Sequence, residues 1–450
     1  MQASKRRLTL IELNEFSVAL LERGVKELGL PHVARMLALK PASTTTDDMV
    51  EHRGLDPWVQ WVSAHTGVPS SVHGIIHLGD TPADLGFRQV WEVLSERGVS
   101  SGVWGAMNAT RGDAALCKFF LPDPWTFSER AFPEKLNDLL ALPRYYSRNY
   151  LDVSIGEFLG NTLRLGKFVL GSGAVARIIA QAPLVLGGVL RNGVNNAVLF
   201  SLFDLFSAAI FSAYKRKLDP QLSVIFLNSI AHLQHHKWVA GDRLPGDLAF
   251  GLRVIDRVLE IIFDSLGEDE AVVVMNALTQ RNIAGEKPRI CYRQINPARF
   301  LEAVGLPFDS VEQLMTNDAH VFFPGQAQRD HAASALEGAT IQGLPLFQVE
   351  PNASNPLKLF YQVDFWDELE GDVEVEVGGH RINFLDHFEA IVARTGAHVR
   401  DGNVFSSGIA LPAKLYNHEI AAGLLGFFAA ASANDDGLPR VPARAESSVA

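Results

Sequence analysis

The apolar positions of the chain fall into short unbroken runs and longer periodic ones, and the two kinds alternate. "LTLIEL" (8–13), the apolar part of "GVSSGVWGAMN" (98–108), "LSVIFLNSI" (222–230) and "EAVVVMNAL" (270–278) are short and rich in β-branched residues. Runs of this kind suit strands covered on both faces of a parallel sheet. Between the last two lies "GDLAFGLRVIDRVLEIIFDSLG" (246–267), apolar at helical spacing and closed by glycine. Strand, helix, strand in that order is a βαβ unit. "KLFYQVDFWDELEGDVEVEVGGHRINF" (358–384) alternates instead and carries a Gly-Gly turn, which predicts a hairpin or edge strands. From about 126 to 217 the pattern is mostly helical and interrupts the alternation. We read that stretch as a helical cap inserted into a core of residues 1–125 and 218–432, with a flexible polar tail at 433–450.

Two apolar segments bear on membranes. Residues 194–214, "VNNAVLFSLFDLFSAAIFSAY", are long enough to span a bilayer, but Asn195, Asn196 and Asp204 interrupt them. Upstream lies "FVLGSGAVARIIAQAPLVLGGVL" (168–190). The reading is a buried or lid-like helical pair, with peripheral membrane contact through the cap as the alternative. The first residues, "MQASKRRLTLIELNEF", are broken by Glu12 and Asn14 and make a poor signal peptide, so a cytoplasmic location is the default.

Composition narrows the class. The 450 residues are 47% apolar and 20% charged, enough for a sizeable core. A net charge of −11 argues against a nucleic-acid polymer as partner. Two cysteines, Cys117 and Cys291, supply neither a disulfide framework nor a thiolate zinc site. No motif calls for a nucleotide cofactor.

The candidate chemistry sits where strands end, the usual ligand side of a doubly wound sheet. Each strand run closes on an asparagine: Asn14, Asn108, Asn228 and Asn276. "NSIAHLQHHKW" (228–238) puts Asn228 and His232 four residues apart at a helix start, with His235 and His236 one turn on; imidazole and amide oxygen suit zinc and related ions. A further histidine, His398, lies in the glycine-bounded turn of "TGAHVRDGNVFSSG" (395–408).

The order of these pieces resembles the alkaline phosphatase superfamily, in particular its type I phosphodiesterase and nucleotide pyrophosphatase branch. The residues that carry the likeness are "LIELNEF", "VSAHTGVPSSVHGI", "FLNSIAHLQHHKW", "VVVMNALTQ" and "GAHVRDGNVFSSG", spread over roughly residues 8–430. The resemblance implies a three-layer α/β/α sandwich with a mostly parallel central sheet. It also implies departures. Asn14, Asn228, Asn276 and Ala277 stand where that branch has acids and an Asp-His pair, and Pro57 stands at the place of its nucleophile. With these carboxylates lost, the resemblance implies at most one divalent cation, zinc or manganese, on Asn228, His232 and His398. Glu12, on the same side of a strand as Asn14, and Asp56 are the acids that could join it.

By analogy "DPWVQWVSAHTG" (56–67) is the active-site helix, with Asp56 as N-cap and Pro57 at its first position. A helix N-terminus favours a phosphate or sulfate. Trp58 and Gln60 would line the substrate, while Trp61 reads as core and His73 as structural. Asp123 and Trp125, in "FFLPDPWTF" (119–127), offer an acid and an aromatic over the pocket. Asp56, His65 and His235 are the acid/base candidates, and Asn14, Trp58, Gln60, Asn108, Asp123 and Asn276 the substrate contacts. The functional expectation is a hydrolase or transferase of a phosphate or sulfate ester, glycan- or lipid-linked; a catalytically inactive binding module on the same fold is the alternative. The partner is a small-molecule, glycan or lipid-linked substrate, with peripheral membrane contact through the cap as the alternative reading.

Overall fold

Eight strands form one central sheet in the computed structural model, which describes residues 6–49, 55–193, 195–241, 243–352 and 354–429. They are β1 (Leu8–Leu13), β2 (Lys40–Thr45), β3 (Ser101–Trp104), β4 (Cys117–Leu121), β5 (Leu222–Leu227), β6 (Ala271–Met275), β7 (Gly402–Ser407) and β8 (Lys414–Tyr416), in the order β8-β2-β7-β6-β1-β5-β3-β4. β7 runs antiparallel to both its neighbours, and every other pairing in the sheet is parallel. The expected tail at 433–450 lies outside the described residues.

Every residue of β1, β5 and β6 is buried, because helices cover both faces. Ile11, Leu13, Ile225, Leu227 and Val274 point to one side, toward helices Val18–Leu28, Asn196–Leu218 and Gly246–Phe263. Leu8, Leu10, Val224 and Val273 point to the other, toward helices Pro57–Thr66, Val90–Glu96 and Glu419–Ala429. The result is the three-layer α/β/α sandwich that the runs and the resemblance predict.

Two excursions leave this core. Residues 126–217 are mostly helical, and the last of their helices, Asn196–Leu218, packs lengthwise on Gly246–Phe263. It is the one described helix that is long and apolar enough to cross a membrane unaided, and 67% of its apolar window is buried against the protein. Two of its polar interruptions are structural. Asn195 caps it by accepting from Val198 N at 3.0 Å, and Asp204 reaches the next helix.

The second excursion leaves after β6 as strands Thr279–Asn282 and Ile290–Gln294 and returns as Phe388–Ala393 and Gly396–Val399, paired antiparallel. Between them is a four-stranded antiparallel sheet packed around its own cluster, which includes Tyr292, Phe300, Val321, Leu336 and Tyr361. The sequence reading merged this segment with the core at 218–432. Its strands are short and its apolar residues scattered over many small elements, so no single run marks it as separate. The stretch 358–384 supplies one strand of that sheet (Lys358–Val363) and a hairpin, Glu374–Val377 with His380–Asn383, turned at Gly378–Gly379.

Candidate metal centre

The chain leaves β1 at Asn14 and turns sharply. Glu15 adopts a left-handed backbone, φ 56°, which re-aims its side chain away from the strand's alternation. Gln234 fixes that turn: its amide donates to Glu15 O at 2.7 Å, and its oxygen accepts from Ser17 N at 2.9 Å. The Glu15 carboxylate, only 2% exposed, meets His235 Nε2 at 3.0 Å and His398 Nε2 at 3.1 Å through one oxygen. The two imidazole nitrogens are 3.3 Å apart. His235 comes from helix Ser229–Lys237, which follows β5. His398 comes from strand Gly396–Val399, opposite Gln280, whose amide also donates to Glu15. Among the described residues, this is the group of three acid, histidine or cysteine side chains whose donor atoms all lie within 4.8 Å of one another.

Each histidine is anchored through its other nitrogen. Nδ1 of His398 faces Leu55 O at 2.9 Å, and Nδ1 of His235 faces Gly396 O at 3.3 Å. A carbonyl needs an N–H, so both rings keep their proton on Nδ1 and turn the Nε2 lone pair toward Glu15. Three lone-pair donors then face one another, an arrangement that needs a cation or an extra proton. Zinc–nitrogen bonds of about 2.0–2.1 Å give tetrahedral ligand spacings of about 3.3 Å, and the donors here are 3.0, 3.1 and 3.3 Å apart. The donor set therefore fits a divalent ion bound by two imidazoles and one carboxylate.

With no cation present, the electrostatics favour the proton. Burial opposes ionisation of Glu15, but His398 and His235 overcome it and hold the carboxyl well below its usual range. Burial works against charge on His398 too, yet Glu15 and Asp56 raise it. Burial wins at His235, which is lowered. Half-buried Asp56, at the start of helix Pro57–Thr66, lies 3.5 Å from His398 Nδ1. Burial raises it, against the pull of His398 and Arg394.

Several sequence-derived assignments end elsewhere. His232 does not reach the cluster; its ring packs on Phe200 at 4.0 Å and His236 at 4.5 Å, and burial pushes it down to about 3. The helix that carries these histidines turns His235, one turn on, toward Glu15 instead. Asn228 Oδ1 accepts from Asn14 Nδ2 at 2.8 Å, and Asn14 donates equally to Glu15 Oε1. Asn14 Oδ1 in turn takes the Trp61 indole N–H at 2.8 Å. These two amides thus form a hydrogen-bonded chain beneath the cluster rather than a row of free ligands.

Asn276 is fully buried and clamps two segments, donating to Phe16 O and accepting from Asn403 N, both at 2.7 Å. Asn108 accepts from Gly79 N and donates to His77 O. Asp123 accepts backbone N–H bonds from Asn108, Trp125 and Thr126, and burial raises its pKa. Both side chains are fully buried, and the four hydrogen bonds that Asp123 accepts fill its carboxylate, so neither faces a substrate. Gln60 is spent between Asp48 and Asn417. Trp58, half-buried, donates to Ile76 O at 3.0 Å. His65, 1% exposed, holds Glu12 at 2.6 Å and lies between Trp61 and Trp91. Glu12 is thereby removed as a ligand and His65 as a pocket base.

Glu15 is the residue that reading the strand pattern missed. Alternation along β1 pairs Glu12 with Asn14 and says nothing about the residue after the strand. Its one signal was an acid directly after a strand-end asparagine.

No protein-family model matches the chain, and no curated protein matches it. Solved structures similar to it include phosphonoacetate hydrolase from Sinorhizobium meliloti in complex with phosphonoformate, 14% identical with a TM-score of 0.43, over 95% of this chain and 96% of that one. Human ectonucleotide pyrophosphatase/phosphodiesterase 5 is 10% identical with a TM-score of 0.43, over 94% and 95%. The murine form, in complex with AMP, is 10% identical with a TM-score of 0.42, over 94% and 95%. These proteins are alkaline phosphatase superfamily members. With TM-scores below one half, the likenesses carry no weight for the chemistry, which rests on the atoms of this site.

Proposed function

We propose that the chain is a hydrolase of phosphate- or sulfate-type esters that works with one divalent cation, zinc or manganese, held by Glu15, His235 and His398. The observation that carries the reading is the convergence of the Glu15 carboxylate and two Nε2 lone pairs within 3.3 Å. Two neutral imidazoles and one carboxylate leave a dication with net positive charge, which attracts an anionic ester. Arg394, whose charge is felt at Asp56, His235 and His398, adds to that attraction. The cation supplies Lewis-acid polarisation of the ester oxygen and raises the acidity of water at the site.

The protein's own groups do the rest. Glu15 and the anchored rings hold the donors in place. Asp56 lies 3.5 Å from His398 Nδ1, on the side of the ring away from Glu15, where it would help to hold the imidazole in orientation. Pro57 offers no hydroxyl at the helix start, so water attacks the ester directly in a single displacement. That route inverts configuration at phosphorus.

The test is elemental analysis of the purified protein, paired with hydrolysis of bis(p-nitrophenyl) phosphate, p-nitrophenyl phosphate and p-nitrophenyl sulfate. One equivalent of metal and metal-dependent turnover are expected, both lost in His235→Ala and His398→Ala. Protein that stays metal-free on incubation with zinc and manganese, with no turnover, overturns the reading. Metal without turnover favours the alternative, a binding module on the same fold; the proline at the helix start and the internal engagement of Asn276, Asn108 and Asp123 speak for it.

A further inference from the structure

A cavity of about 300 Å³ that is almost wholly apolar lies at the carboxyl ends of β3, β4 and β5. Its walls come from the cap (Leu140, Phe158, Leu199, Phe203) and from the ends of the strands (Trp104, Phe226). Asn228 lines it as well, and Asn228 is one amide away from Glu15 through Asn14. Phe200, another wall residue, carries the His232 ring at 4.0 Å. An apolar cavity of this size lies at the lower end of small-molecule sites, about 300–1,000 Å³, and suits one hydrocarbon chain rather than two.

The outside of the cap is apolar as well. Ile155, Leu159, Leu163 and Leu170 are 76%, 55%, 75% and 75% exposed. Their spacing puts them on one face of helix Ile155–Gly171. On helix Ala182–Asn192, Leu186 and Leu190 are 60% and 85% exposed. Within these helices and the short one between them stand four bases, Arg164, Lys167, Arg177 and Arg191, against one acid, Glu157, in a chain whose net charge is −11. Exposed leucines with basic neighbours are the pattern of a surface that lies on an anionic membrane.

We infer that the ester at this site is carried by a single-chain anionic lipid: its hydrocarbon chain fills the cap cavity, its phosphate-type headgroup meets the Glu15–His235–His398 cluster, and the leucine face of the cap takes it from a membrane. The inference rests on the proposed function for the headgroup, while the cavity and the cap face carry the chain independently. It deepens that function by naming the substrate class.

The experiment measures binding, so it reads out with or without turnover. Calorimetry compares lysophosphatidic acids of increasing chain length with glycerol phosphate. Affinity should rise severalfold per methylene until the cavity is full, since each buried methylene carries its transfer free energy. Leu199→Trp, which fills the cavity from a partly exposed wall position, should abolish the chain-length dependence. Phe203→Ala, which enlarges the cavity, should keep it. In parallel, the protein should float with equimolar phosphatidylcholine/phosphatidylglycerol vesicles, and Leu163→Glu with Leu186→Glu should cut flotation at least tenfold while leaving hydrolysis of soluble bis(p-nitrophenyl) phosphate unchanged. Equal affinity for all chain lengths and for glycerol phosphate overturns the inference. So does lipid-free self-association that the same double variant abolishes, which would assign the leucine face to a second copy of the chain. Chain-length-dependent binding with no bound metal and no turnover retains the lipid and removes the hydrolase.

Discussion

Two carboxylate–imidazole groups flank Asn14, and they have opposite fates. Glu12 and His65 form a pair at 2.6 Å with 0% and 1% of their side chains exposed, shut between two tryptophans. Glu15, His235 and His398 form a group of the same chemistry, but the two imidazoles remain 16% and 12% exposed. In the first, Glu12 Oε1 and His65 Nε2 bind each other, while Glu12 Oε2 and His65 Nδ1 are buried without a hydrogen-bond partner. In the second, two imidazole nitrogens and one carboxylate oxygen converge within 3.3 Å of one another. Residue type does not separate a structural pair from a ligand set; the number of donors that converge and their access to solvent do.

The largest effect expected is at the open group. Glu15→Gln, His235→Ala or His398→Ala should each take bound metal from one equivalent to none and reduce hydrolysis more than about 10³-fold, about 4 kcal/mol of transition-state stabilisation. Folding should be nearly intact, as thermal unfolding will show. A variant that keeps its metal and its rate would erase the distinction between the two groups.

The sealed pair should behave the other way. His65→Leu strands the Glu12 carboxylate in an apolar pocket, which costs about 3–5 kcal/mol of stability. Urea unfolding should show the loss, while metal per folded molecule stays at one. Loss of metal without loss of stability would make the pair part of the site.

This comparison marks what could be seen in the sequence. The strand runs, their order and the cap were legible because strand burial writes itself as continuous apolar runs. The insertion at about 283–393 was not, because its core is assembled from short pieces far apart in the chain. His398 could be singled out by its glycine-bounded turn. His235 against His232 could not, since helical spacing alone does not say which face meets Glu15. Glu15 depends on one left-handed residue, and the fate of Asn276, Asn108 and Asp123 on which backbone groups lie opposite them.

Titration sharpens the same contrast at intermediate size. His73 is sealed: Ile75 N donates to its Nδ1 at 3.0 Å, so its Nε2–H must donate to Ser63 Oγ, also at 3.0 Å. Burial pushes it down to about 4 from 6.5, with Asp48 opposing. The unfolded chain therefore takes the proton first, and stability is lost as pH falls from about 6.5 through about 4, by about 3 kcal/mol in all. Asp204 has the opposite sign. Burial lifts it to about 6 from 3.8, against the N–H groups of Ser229 and Asn228. The stability its protonated form contributes, also about 3 kcal/mol, is present below 3.8 and lost as pH rises through 6. Unfolding of His73→Asn and Asp204→Asn against the parent, followed from about pH 7 to pH 4, should give differences that slope in opposite directions. Parallel slopes would refute the assignment of either proton.

The smallest effect tests whether the reasoning extends from polar to apolar groups. Leu205 of helix Asn196–Leu218 is fully buried, and Leu163 of helix Ile155–Gly171 is 75% exposed. If the cap's outer leucines are left open to solvent, they add almost nothing to folding. Leu163→Glu should then change stability by less than about 0.5 kcal/mol, where Leu205→Ala costs about 2–5 kcal/mol. Both are read from urea midpoints without lipid. A Leu163→Glu loss approaching that of Leu205→Ala would mean that this face is already packed against something in solution, and the leucines would join Glu12 and His65 among the groups the protein uses to hold itself together.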